Sequence, residues 1–319
     1  MSFTVIPVPG PGAEDVVVAT HGPDQGCVFT GTEDGAIFRI SPDGGRVERV
    51  AHTGGRPLGI EFAPDGRLLV CDALKGLLWV DPAAGAVEPI TDQVGGTAMR
   101  FCNNAAIASD GTIWWSDSST KYGITQWKDD FVQHTRTGRL LRRDPDGTVT
   151  TVLDGLAFAN GVALSAAEDY VCVAETGART VARHWLTGPN KGMRDRLCSD
   201  LPGYPDNIAR GSDGLIWISI ASPTDPLVER LHTSPLRLRK LVTKIPEALQ
   251  PKPKQTVRAV AYDDKGRRVH DIDVTPGEHG TSYHMVTGVR EHEGRLWVGS
   301  LHEPAIACLD LSAIPRATV

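Results

Sequence analysis

No apolar run in the chain approaches the ~18 residues that a membrane-crossing helix needs, so the sequence offers no membrane span. The six cysteines, Cys27, Cys71, Cys102, Cys172, Cys198 and Cys308, are scattered without the spacing of a zinc site. Three of them sit inside apolar strand-like stretches, where a reduced, buried thiol is the expectation. The opening MSFTVIPVPG has no basic region followed by an apolar one, so the reading is a cytoplasmic protein without a signal peptide. There is no excess of basic residues either. A net charge of −6 gives no electrostatic footprint for nucleic acid or an anionic membrane. A GxSxG elbow, a P-loop and a dinucleotide fingerprint are all missing, which removes three common enzyme classes.

What is abundant is turn chemistry and a repeat. Gly at 34 and Pro at 22 suit many tight turns. A turn-then-strand nonapeptide recurs six times: PDQGCVFTG (23–31), PDGRLLVCD (64–72), SDGTIWWSD (109–117), AEDYVCVAE (167–175), SDGLIWISI (212–220) and HEGRLWVGS (292–300). The starts are 41, 45, 58, 45 and 80 residues apart, and a period near 45 with β-rich strands marks propeller blades. Hairpins such as GAIFRISPDGGRVERV (35–50) and GRLLRRDPDGTVTTVL (138–153) bring each repeat to four strands. The expected fold is all-β: a six-bladed β-propeller of four-stranded blades forming a single domain over 1–319. The last repeat is one strand short, and FTVIPV (3–8) is expected to complete it and remove the exposed edges.

Two intervals exceed the period. Residues 118–137 add polar and aromatic side chains, among them Tyr122, Trp127 and Phe131, which are candidates for lining a substrate pocket. Residues 221–256 contain SPLRLRKLVTKIPEALQ (234–250), whose Leu236, Leu241, Ile245 and Leu249 suggest a short helical lid. Trp114, Trp115, Trp217 and Trp297 are placed on inner strands, with sheet packing as their default role.

The stretches before the nonapeptides carry the candidate chemistry. Six positions before the turn stand Leu58, Asn103 and Asp206. Asn160 stands seven before its turn, and Glu14 nine before a longer one. Equivalent places in a radial repeat face one axis. Two carboxylates and two amides there favour a hard cation, one Ca²⁺ in the central channel, over zinc. Asn207, beside Asp206, is a further ligand or a supporting group. Leu58 would offer the channel an apolar contact. His284 is expected near the top of the last blade as a proton shuttle.

The segments GAEDVVVA, RPLGIEFAPDG, RFCNNAAIASDGTIWWSDSS, FANGVALSAAEDYVCVAET, LPGYPDNIARGSDG and EHEGRLWVGSL resemble the strictosidine synthase-like proteins, nearest the branch of the adipocyte plasma-membrane-associated protein. The resemblance runs over about residues 12–311. That superfamily groups with gluconolactonase/regucalcin, paraoxonase and diisopropylfluorophosphatase among six-bladed propellers. It implies a channel Ca²⁺ held by Glu14, Asn103, Asn160 and Asp206, with Asn207 beside it, and implies that Asp206 doubles as a base. The departures are informative. The Glu that strictosidine synthase uses in its last blade corresponds here to Thr287, which would line the pocket instead. The His of the paraoxonase PHGI motif is replaced by Leu58 in RPLGI. Where relatives often carry Asp after the mid-blade Asn, this chain has Asn104. The expected function is a calcium-dependent hydrolase of lactones or related esters, acting on a small-molecule substrate through a metal-polarised carbonyl and metal-activated water, with Asp206 and His284 catalytic. The alternatives are a C–C bond-forming (Pictet–Spengler) enzyme and a non-catalytic propeller that binds a small molecule.

Overall fold

The structure, a computed structural model, describes residues 3–245, 254–274 and 282–314. Six antiparallel four-stranded sheets follow one another along the chain. Blade 1 begins with the strand Val16–Val18, blade 2 with Pro57–Phe62, blade 3 with Cys102–Ile107, blade 4 with Ala159–Leu164, blade 5 with Gly203–Arg210 and blade 6 with Val286–His292. Each of these is the innermost strand of its sheet. The nonapeptide strands, such as Ile113–Asp117 and Ile216–Pro223, lie second. The four tryptophans expected on inner strands therefore sit one strand further out. They pack between sheets there, Trp115 and Trp217 with no exposure at all.

The recurrent turns have a common cause. The Asp of each PDG or SDG turn accepts a hydrogen bond from the backbone N–H two residues on: Asp65 from Arg67 at 3.1 Å, Asp110 from Thr112 at 2.8 Å, Asp213 from Leu215 at 3.0 Å. A sheet with two apolar faces must bury both, and neighbouring blades do this for each other. Six apolar clusters fill the six interfaces. Ile218 and Val260 meet Cys172 and Val181 between blades 5 and 4, for example, and Val17 and Phe29 meet Ile60 and Val70 between blades 1 and 2. The ring is closed as expected. Phe3–Pro7 pairs antiparallel with Ala305–Leu309 on the outside of blade 6, with Ile6 opposite Ile306.

Both long intervals form helical structure at one end of the channel. The first contains α1, Trp127–Gln133, a helix that no apolar periodicity in this stretch announces. The second contains α2, Pro226–His232, and α3, Leu236–Val242. The helix expected over 234–250 is thus shorter, and residues 246–250, with Leu249, lie outside the described residues. Asp225 caps α2 by accepting from the N–H groups of Leu227 and Val228. The helices hold one another. Arg239 donates to the Gln133 carbonyl at 2.5 Å, His232 meets the Phe131 carbonyl at 2.9 Å, and the His134 and His232 rings lie 4.5 Å apart. Among the described residues, no helix is long and apolar enough to cross a membrane.

Candidate functional site

The inner strands are not regular. Each of blades 2 to 6 breaks register at the same place: between Pro57 and Ile60, Cys102 and Ala105, Ala159 and Val162, Pro205 and Ile208, and Val286 and Val289. The residue pairs inside these bulges are Leu58-Gly59, Asn103-Asn104, Asn160-Gly161, Asp206-Asn207 and Thr287-Gly288. Glu14-Asp15 immediately precedes the corresponding strand of blade 1. A bulge redirects side chains that a flat strand would alternate between faces. The structure thereby brings the proposed ligand residues to one level of one channel.

Within this ring, Gly161 and Gly288 are required by space. A Cβ on Gly161 would lie 2.0 Å from the Ile208 nitrogen, and one on Gly288 2.6 Å from the Asp15 Cα. The residue two places before the site residue also repeats. Gly12, Phe158 and Met285 all take left-handed backbone, at φ 60°, 62° and 56°. For bulky Phe158 and Met285 this costs on the order of 1–3 kcal/mol each, a strain that the surrounding packing holds in place.

The ring's side chains are buried and short of partners. Glu14, Asn103, Asn160 and Asn207 are each at most 5% exposed. Glu14 Oε2, Asn103 Oδ1, Asn160 Oδ1 and Asn207 Oδ1 have no hydrogen-bond donor. The amide nitrogens of two are engaged, Asn103 by Ser118 Oγ at 2.9 Å and Asn160 by Thr176 Oγ1 at 3.2 Å. These bonds turn the amide oxygens to the free side. Buried oxygens without donors cost about 1–3 kcal/mol each unless something electropositive meets them. Burial, then the Asp206 carboxylate, holds the Glu14 carboxyl well above the usual carboxylate range. Burial also pushes Asp206 up to about 7, with Asp15 adding to it and a hydrogen bond from Asn160 opposing. Two carboxylates that repel each other and orphaned amide oxygens at one level are the donor set of a hard divalent cation. Glu14, Asn103, Asn160 and Asp206 are the residues that would hold it, whereas Asn207, proposed from the sequence as a further ligand or supporting group, stands one place on in its bulge, at the level of Asp15 and Asn104. Among the described residues no cluster of three or more His, Cys, Asp or Glu forms a site of another type.

Around this ring lie groups that sequence reasoning did not select. Below it, Asp15 accepts from the N–H groups of Val16 and Ile60 and from Asn104 Nδ2 at 3.1 Å, while Asn104 Oδ1 accepts from the Val162 N–H at 2.8 Å. One chain of bonds thus ties blades 1 to 4. The amide of Asn104 is what lets it donate to Asp15. Arg290 pairs with Glu61 nearby. The alternation Asp15, Gly59, Asn104, Gly161, Asn207, Gly288 is the sequence signal that would have found this layer.

Above the ring, the expected pocket residues separate. Leu58 joins Phe101, Ile124 and Phe158 in an apolar wall, against which Trp127 and Phe131 of α1 pack. The Phe101 and Phe158 rings meet edge to face at 5.4 Å. Tyr122 turns away and donates to Gln133 Oε1 at 2.9 Å, in a separate cleft. Thr287 lies at the ring itself and donates its hydroxyl to the Glu14 carbonyl at 2.8 Å. His284 precedes the inner strand of blade 6. Its Nδ1 meets Glu303 Oε1 at 2.6 Å and the Ser282 carbonyl at 3.1 Å. The His302 ring is 6.1 Å away, its pKa lowered by burial first and by His284 second. Ser300 joins this group to the ring, donating its hydroxyl to the His284 carbonyl while its N–H bonds the Ala13 carbonyl at 2.7 Å.

Fold and ring together define a six-bladed propeller with an oxygen-rich channel centre beneath a helical lid. The chain belongs to the strictosidine synthase-like family. A sequence profile described as strictosidine synthase matches residues 103–189. The chain is 35% identical over 277 residues to Protein STRICTOSIDINE SYNTHASE-LIKE 10 of Arabidopsis thaliana, covering 82% of this chain and 71% of that one. It is 32% identical over 314 residues to the adipocyte plasma membrane-associated protein of Homo sapiens, covering 90% and 73%. Among solved structures it resembles a gluconolactonase of Xanthomonas campestris, with a TM-score of 0.69 at 16% identity over 99% of this chain and 89% of that one. It also resembles a calcium-binding protein, regucalcin, of Agrobacterium tumefaciens, with a TM-score of 0.64 at 14% identity over 95% and 90%. At these identities the structural likeness speaks for the fold.

Proposed function

We propose that the protein is a calcium-dependent hydrolase of lactones or related esters. The observation that carries this reading is the set of buried, donor-less oxygens on Glu14, Asn103 and Asn160 beside the Asp206 carboxyl. The likeness to a gluconolactonase and to a calcium-binding regucalcin supports it. A Ca²⁺ bound there would supply a Lewis acid for a substrate carbonyl. The chain's own residues do the rest. Asp206 is the member of the ring most open to the channel, and it takes the proton of an attacking water. His284, its Nδ1 fixed by Glu303, is left with Nε2 for proton transfer to the leaving alkoxide. The wall of Leu58, Phe101, Ile124 and Phe158 excludes water and receives the apolar part of the substrate. Thr287 donates its hydroxyl hydrogen bond to the Glu14 carbonyl and, having no carboxylate, supplies no base, which disfavours the C–C bond-forming alternative.

The test is a panel of lactones and aryl esters assayed on chelated protein with and without added Ca²⁺. Turnover that requires Ca²⁺ and falls at least a hundredfold in Asp206→Asn, with little change in KM, is the expected result. Metal-independent condensation of an amine with an aldehyde would replace this reading by the synthase one. Ca²⁺ binding without turnover on any substrate would leave a binding propeller.

A further inference from the structure

We propose that the α2–α3 segment docks on an anionic membrane surface. This inference rests on the lid itself and is independent of the hydrolase reading. Large apolar side chains are exposed at few places among the described residues. Five of these cluster here: Leu227 (51%), Leu236 (45%), Leu238 (45%), Leu241 (64%) and Ile245 (40%). The others, Val5, Leu74 and Met193, are scattered over separate blades. Leu238 and Leu241 are three apart on α3 and share a face. Arg239 is turned the other way, onto the Gln133 carbonyl of α1, and this anchors α3 with its leucines outward.

Charge points to the partner. Residues 226–245 hold five basic side chains, Arg230, Arg237, Arg239, Lys240 and Lys244, against one acidic one, in a chain whose net charge is −6. That acid, Glu229, is already taken by Arg179 at 3.2 Å and the Tyr204 hydroxyl at 3.0 Å. Whole-chain charge had given no hint of an anionic surface as partner, because the basic residues are concentrated locally. Between α3 and the loop before α1 lies a cleft of about 470 Å³ lined by Lys121, Tyr122, Gln133, Lys240 and Lys244, with Asp129 at its side. Three lysines against one aspartate give that open cleft the sign a headgroup phosphate needs, next to leucines that would enter the headgroup–acyl boundary. A second copy of this chain would bring the same basic face against itself, which charge repulsion disfavours.

The experiment is co-sedimentation of the whole protein with vesicles of phosphatidylcholine, alone or with about one third phosphatidylserine. Binding is expected only with the anionic lipid and should weaken as salt is raised. Lys240→Ala with Lys244→Ala should weaken it roughly thirtyfold, and Leu238→Glu with Leu241→Glu should abolish it. These side chains are exposed, so both variants should melt within a degree or two of the parent, which confirms that they fold. No binding to anionic vesicles, or binding indifferent to lipid charge, overturns the proposal. A concentration-dependent dimer that the leucine variant dissolves would overturn it in favour of a second copy.

Discussion

The two levels of the channel solve the same electrostatic problem in opposite ways. Each places two carboxyl groups in a confined space. At the lower level Asp15 and Glu61 face Arg290, and Asp15 also receives two backbone N–H bonds and the Asn104 amide. At the upper level Glu14 and Asp206 repel each other, Asn160 gives Asp206 a hydrogen bond, and Glu14 Oε2 and the amide oxygens of Asn103 and Asn160 have no donor. The nearest cation, Arg56, offsets Glu14 only in part and is paired with Glu33 at 2.9 Å. On the calcium proposal, a protein that carries its own counter-ion at one level and omits it at the next leaves the second place for an external cation. That is the physical content of the calcium proposal, and it can be tested without a substrate.

The largest expected effect is the cation's own. Ca²⁺ at a thousandfold excess over its Kd should stabilise chelated protein by about 4 kcal/mol, read as a rise in Tm. A Tm indifferent to Ca²⁺, Mg²⁺ and Mn²⁺ would sink the distinction between the levels. Next is removal of the internal cation. Arg290→Ala leaves Glu61 and Asp15 confined without a counter-charge and should cost roughly 3 kcal/mol in denaturant melts, with or without Ca²⁺. The sharpest contrast comes third. In chelated protein Glu14→Gln removes a repulsion and should stabilise by about 1 kcal/mol, yet the same variant should lose most of the gain from Ca²⁺. Loss of stability in both conditions would mean that Glu14 is satisfied by the protein itself.

The smallest effect is in the lid. Burial, then the neighbouring His232, pushes the His134 pKa down to about 4. Its unfolded value is near 6.5, so its contribution is complete above that pH and is lost as pH falls towards 4. Between pH 7.5 and 5.5 the loss should be about 1 kcal/mol after allowing for the solvent that reaches the ring. His134→Asn keeps a residue that tolerates the φ of 50° and should flatten that part of the Tm–pH curve. An unchanged slope would show that the histidine pair does not hold the helices together.

Much of this was legible along the chain because a radial repeat converts spacing into position. Similar offsets before each recurring turn put Glu14, Asn103, Asn160 and Asp206 on one level, and the strand deficit of the last repeat identified Phe3–Pro7 as the closing strand. The interval lengths marked both insertions, but the helix within the first was hidden, since WKDDFVQ has no repeating apolar face of useful length. The Glu303 and His302 partners of His284 were also hidden. They come from the loop after the neighbouring strand, and sequence distance says nothing about such a meeting.

The sequence by itself determined the blade count, the strand pairing within blades and the chemical types at the channel level, because turns and alternation are local and their period is set by backbone geometry. Tertiary structure alone decided which of those polar groups are satisfied. Asp15 and Glu14 are adjacent in the chain, yet one meets donors from neighbouring blades and the other meets another carboxylate. In blades 2 to 6 a bulge in the inner strand sends consecutive side chains to different levels of the same channel, and in blade 1 the irregular backbone just before the strand does so for Glu14 and Asp15.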